Sequence, residues 1–165
     1  SPVGYESAAP VSAGLSDRPV RARIFAQRGG SAMRLPAELL RDRAAASTTL
    51  MSLLLRHSNS TFFQAEQGVA CNVLHEAPAR LARWLLMTQD RTGTRSMTLT
   101  QDYMAIMTGV QRTTISMVAG QFRDNGLIRY NRGVVEIIDR DGLKARACEC
   151  FAAVRDEFVQ LRSSP

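Results

Sequence analysis

Apolar residues recur every three or four positions through most of this 165-residue chain, and the pattern predicts a mainly helical α+β fold with one small β wing. A short helix opens at Pro36-Ala37-Glu38 and ends near Ala46. From Thr48 to about Asn72 a long helix is expected, with Leu50, Leu54, His57, Thr61, Gln64, Gly68 and Cys71 at alternating three- and four-residue steps. That spacing reads as a dimerisation seam, although a helix packed on its own domain would share the rhythm. Residues 76–89 form a further helix with Pro78 in its first turn and Leu81, Leu85 and Leu86 around Trp84, whose bulk at helical spacing marks it as core. His75, just before it, reads as a capping or local hydrogen-bonding residue. Residues 89–96, QDRTGTRS, are a polar connection, and residues 143–162 close the chain as one amphipathic helix with Leu143, Phe151, Val154 and Phe158 on its apolar face.

The most informative stretch is 97–138, MTLTQDYMAIMTGVQRTTISMVAGQFRDNGLIRYNRGVVEII. It reads as a helix, a glycine turn at Gly109, a second helix over Gln111–Asn125 capped by Gly126, and two β-prone runs joined by Asn131-Arg132-Gly133, with positive φ expected at Asn131 and Gly133. Met104, Val110, Ile115 and Val118 supply the core between the helices. Arg112, Thr113, Ser116 and Met117 are left on the outer face of the second helix, near the end that helix-turn-helix proteins insert into the major groove. Arg112 suits guanine O6 and N7 or a phosphate. Thr113 and Thr114 suit base contacts or the free donors of the helix start, and Met117 a thymine methyl or partial burial. Asn131 and Arg132 stand at the wing tip, where a cation meets phosphate and releases counterions.

Charge supports this direction. A net charge of +6 and a pI near 10.0 point to a polyanionic partner. Lys144 is the only lysine among 21 cationic residues, a bias that a GC-rich genome explains before function does. No run of about 18 apolar residues and no export signal is visible, so a cytoplasmic protein without membrane contact is expected. Cys71, Cys148 and Cys150 are odd in number and lack paired CxxC spacing, so no metal and no cofactor is expected. Neither a phosphate loop nor a nucleophile motif is present, and no enzyme activity is expected. Residues 1–35 carry turn signals around β-prone pieces at Val20–Ala26 and Ala32–Leu35, and an opening at Ser1 suggests a truncated or processed chain.

The runs CNVLHEAPARLARWLLMTQDR, LTQDYMAIMTGVQRTTISMV and GLIRYNRGVVEIIDRDGLKARACECF resemble the C-terminal half of Crp/Fnr-type bacterial transcription regulators. The resemblance implies part of a sensory β-roll with a short helix over residues 1–47, a dimerisation helix over 48–75 and a winged helix-turn-helix domain over 76–165. It implies a homodimer on palindromic double-stranded DNA, with RNA polymerase as a further candidate partner. Arg112 matches the family's most common base-reading arginine, and Thr100, beside Gln101 at the start of the first helix, a phosphate-contacting position. Thr113 stands where many members have glutamate and Met117 where some have arginine, so a different operator is implied. The cyclic-nucleotide motif is matched only loosely by Gly4-Tyr5-Glu6-Ser7-Ala8 and Arg18-Pro19-Val20-Arg21-Ala22, and the N-terminal cysteine cluster of iron-sulfur members is not seen, so the signal sensed stays open. The rival reading is a protein-interaction module of a transcription complex.

Overall fold

A computed structural model describes residues 8–21, 23–26 and 29–163. A 3₁₀ turn at Val11–Gly14 leads to helices α1 (Ala37–Ala45), α2 (Thr48–Leu74) and α3 (Ala77–Thr92), strand β1 (Ser96–Thr98), α4 (Gln101–Thr108), α5 (Arg112–Asp124), strands β2 (Ile128–Asn131) and β3 (Val134–Ile137), then α6 (Arg140–Arg146) and α7 (Cys150–Ser163). The strands form an antiparallel sheet in the order β1-β3-β2, with Met97 opposite Val135 and Tyr130 opposite the same residue from the other side. No helix among the described residues is long and apolar enough to cross a membrane.

The helix ends follow from local chemistry. Ser47 Oγ accepts the Leu50 amide at 3.2 Å and starts α2, and Thr100 Oγ accepts the Tyr103 amide at 3.2 Å and starts α4. α4 stops at Gly109, whose φ of +65° an L side chain would strain, and the Val110 amide returns to the Ala105 carbonyl at 3.1 Å. The chain is thereby turned straight into α5.

One core joins everything from α3 onward. Leu81, Leu85 and Leu86 of α3 are fully buried with Met104, Ile115, Val118, Val135, Ile137 and Leu143, and each such side chain contributes on the order of 1.5–3 kcal/mol. Trp84 lies in this core with its ring edge-on to Tyr103 at 5.9 Å. A separate small core of Val11, Ala44 and Leu54 holds the 3₁₀ turn and α1 against the start of α2.

Several expectations are corrected. α3 runs on to Thr92 and Gly93 caps it in a left-handed conformation, so the first half of the polar run at 89–96 is helix and only a short connection precedes β1. The expected final helix is two, because the backbone is extended at Ala147, which lets α6 pack on α3 while α7 packs on both α2 and α3. The left-handed residues of the wing are Arg132 (φ 47°) and Gly133 (φ 78°); Asn131 is paired with Val134 inside the sheet. The β-prone pieces at 20–26 and 32–35 form no strand among their described residues, since an extended segment becomes a strand only beside a partner. Val20, Ile24, Phe25, Met33 and Leu35 are exposed there, with Phe25 set edge-on to Tyr103 at 6.2 Å. Of the loosely matched sensor motif, residues 4–7 and Ala22 fall outside the described residues.

The expected seam of α2 is also revised. Leu54 is buried in the small core with Leu50 packed beside it, and Cys71 is fully buried against Cys148 and Cys150, so these three face the chain's own elements. His57, Gln64 and Gly68 are half-buried, and the exposed Thr61 bonds back to the His57 carbonyl at 2.9 Å. The uncovered stripe is instead Leu55, Phe62 and Val69, seven residues apart, continued by Val73.

Candidate nucleic-acid interface

α5 divides cleanly into two faces. Ile115, Val118, Ala119 and Phe122 point into the core, and Arg112, Thr113, Ser116 and Met117 are exposed on the other side, with Met117 58% accessible. Thr114 is half-buried. Gln111 occupies the N-cap position and makes no side-chain cap bond, so the first amides of α5 remain available as donors.

Contacts from α4 order this end of α5. Ser116 Oγ donates to Gln101 Oε1 at 2.7 Å, and Arg112 Nε lies 3.5 Å from Asp102 Oδ1. The guanidinium and the carboxylate are both about two-thirds exposed, at 65% each, so this ion pair orients Arg112 without immobilising it. Thr100, placed by sequence among the DNA contacts, spends its hydroxyl oxygen on capping α4, although the residue remains exposed and its oxygen can serve both roles. Gln101 is engaged by Ser116. No pattern in the sequence pointed to Asp102 or to Tyr130, whose phenol burial pushes up in pKa while the Arg112 charge pulls it back. Both are set against Arg112 only after α4, α5 and β2 have packed.

The wing lies next in the chain. Arg129 Nη1 donates to Glu136 Oε2 at 2.6 Å across β2 and β3, consuming one cation within the sheet. Arg132 is exposed at the tip, and Asn131 beside it is exposed at the end of β2. Arg140 ties α6 to α3, through Gln89 and through Asp90 at 2.7 Å.

Residues 79–146 match the family model for the Crp-like helix-turn-helix domain. The chain carries a Crp-like helix-turn-helix domain. The overall fold is similar to FixK2 from Bradyrhizobium japonicum, with a TM-score of 0.62 and 17% identity over 68% of this chain and 59% of that one. It is also similar to a CRP-family transcriptional regulator from Thermus thermophilus, with a TM-score of 0.55 and 22% identity over 61% of this chain and 55% of that one. At these identities the likeness is one of fold, and the chain spans less than two thirds of the length of either protein. No curated protein matches the chain. The Crp-like domain accounts for α3 to α6, the segment that holds both the outer face of α5 and the wing.

Proposed function

We propose that the chain is a cytoplasmic, DNA-binding transcription regulator and not an enzyme, acting as a homodimer in which residues 48–75 pair the subunits and residues 76–165 read DNA. The observation that carries this reading is the outer face of α5, on which Arg112, Thr113 and Ser116 are uncovered together with Met117, while the wing tip exposes a further cation at Arg132. Each α5 enters a major groove, and the two grooves of a palindrome stand about 34 Å apart. Arg112 and its neighbours supply specificity, while Arg132, Thr100 and the open amides of α5 engage phosphates. The dimer contact in this reading is the stripe of Leu55, Phe62, Val69 and Val73, a patch whose exposure calls for a partner.

The test is selection of bound duplexes from a random pool at two salt concentrations. An inverted repeat with half-sites one turn apart is the expected product; salt-sensitive, sequence-blind binding would return the protein to the interaction-module reading, which the apolar stripe also favours. On the selected site Arg112→Ala is expected to cost about 1 to 3 kcal/mol and to flatten preference at one base pair. An equal loss on all sequences would reassign Arg112 to a phosphate.

A further inference from the structure

Three cysteines and a histidine, separated by as many as 79 positions in sequence, converge where α2 ends and α7 begins. Cys71 lies in the last turn of α2 and His75 is its C-terminal cap, four residues on and therefore on the same face. Cys148 lies in the short connection after α6, and Cys150 opens α7. The three sulfurs and a ring nitrogen of His75 all lie within 4.8 Å of one another; Cys71 Sγ is 3.5 Å from Cys148 Sγ, and Cys150 Sγ is 3.7 Å from His75 Nδ1. A tetrahedral zinc ion with Zn–S bonds near 2.3 Å spaces its thiolates about 3.8 Å apart. The cluster already has that scale, and its sulfurs stand far beyond the roughly 2.05 Å of a disulfide.

The surroundings fit a cation held by thiolates. His75 Nε2 lies 3.0 Å from Glu149 Oε1, so a proton on Nε2 leaves the Nδ1 lone pair on the side of the cysteines, the carboxylate–histidine arrangement that supports metal-bound imidazoles. Gln67 Nε2 donates to Cys150 Sγ at 3.0 Å, a contact that a thiolate accepts far better than a thiol. Arg83 is buried beside Cys71, with its Nε unpartnered and an Nη1 contact to Met87 sulfur at 3.7 Å. A buried guanidinium requires a compensating anion. Three thiolates and a neutral imidazole around a divalent zinc carry one net negative charge, which balances Arg83.

We propose that Cys71, His75, Cys148 and Cys150 bind one structural zinc ion that fastens the end of α2 to the start of α7. Binding displaces three thiol protons to solvent, and with four protein ligands no position is left for catalysis. Soft thiolates with imidazole select zinc over calcium or magnesium, which prefer oxygen. The ion closes a loop of nearly eighty residues around the Crp-like domain and so fixes where α2 leaves it, whatever that domain binds.

The decisive experiment is metal analysis of the tag-free chain after gel filtration from a slight excess of zinc, together with cobalt(II) titration. About one zinc per chain and a thiolate-to-cobalt charge-transfer band with tetrahedral ligand-field bands are expected, and Cys148→Ala or Cys150→Ala should reduce bound zinc more than tenfold. If those variants fail to fold, Glu149→Gln decides: its carboxylate is 80% exposed, so the fold survives its loss, and zinc affinity against a chromophoric chelator should fall about tenfold. A chain that retains no zinc and whose three thiols stay freely titratable in excess zinc overturns the proposal. Stoichiometric iron with acid-labile sulfide overturns it in favour of a cluster.

Discussion

α2 and α5 each leave one face uncovered by the described protomer, and they leave it in opposite chemistry. On α5 the uncovered positions are Arg112, Thr113, Ser116 and Met117; on α2 they are Leu55, Phe62, Val69 and Val73, with Phe62 64% accessible. A face of forked donors and hydroxyls loses little by standing in water and gains when it meets an acceptor-rich polyanion. An apolar stripe is costly in water at about 25 cal/mol per Å² and is relieved by another apolar surface. The two helices therefore call for different partners, and in the proposed dimer pairing through α2 sets the spacing of the two α5 helices.

The largest effect should come from placing charge in the apolar stripe. Phe62→Asp is expected to give monomers in sedimentation and to lower affinity for an inverted repeat about 100-fold or more, toward that for a single half-site, because the second contact loses its effective concentration. A Phe62→Asp protein that remained dimeric would show that the stripe is not the seam and would break the comparison. Leu54 offers the control one residue from Leu55. It is buried in the small core, so Leu54→Ala should cost about 2 kcal/mol in urea unfolding while the dimer persists.

That neighbouring pair also shows where sequence stops informing. Gly109, Gly126, the apolar stripe of α5 and the two main wing strands were legible, because each is set by residues within one or two turns of itself. Which side of α2 faces outward was not, since its three- and four-residue rhythm continues around both sides and the choice falls to α1, the 3₁₀ turn and α7, which bury Leu54 and Cys71. β1 was missed for a related reason: three residues hold no period, and its partner β3 lies nearly forty positions away. The break between α6 and α7 interrupts an amphipathic pattern that reads as continuous, and with it the approach of Cys148 and Cys150 to Cys71 was hidden. In that pocket burial and the neighbouring thiols push the Cys148 thiol up to about 12, a perturbation that no spacing rule contains. On α5 the exposure of Arg112, Thr113, Ser116 and Met117 was legible but the couplings of Arg112 were not, as Asp102 and Tyr130 illustrate.

A smaller effect is expected at the wing. Arg132 has a φ of 47°, which asparagine tolerates, so Arg132→Asn removes the charge and keeps the turn. Binding should weaken by a similar factor on every sequence, and the slope of log affinity against log salt should shrink by about one. A loss confined to one operator would instead make the wing a base reader and extend the specific surface beyond α5.

The smallest effect, and the sharpest test of how α5 is prepared for DNA, belongs to Asp102. Its carboxylate pairs with Arg112 at 3.5 Å with both groups largely in water, so Asp102→Asn should change stability by less than about 1 kcal/mol in urea unfolding. On DNA two consequences oppose each other. Removing a negative charge next to the phosphates raises affinity for any duplex, while freeing the guanidinium increases the rotamer entropy it loses on docking at a chosen base. Sequence-blind affinity is therefore expected to rise a few-fold and the ratio of specific to non-specific affinity to fall, both measured by titration of operator and scrambled duplexes. A ratio that stayed constant would mean that Arg112 reads DNA without being oriented by α4, and that the polar face of α5 works as a helix surface alone.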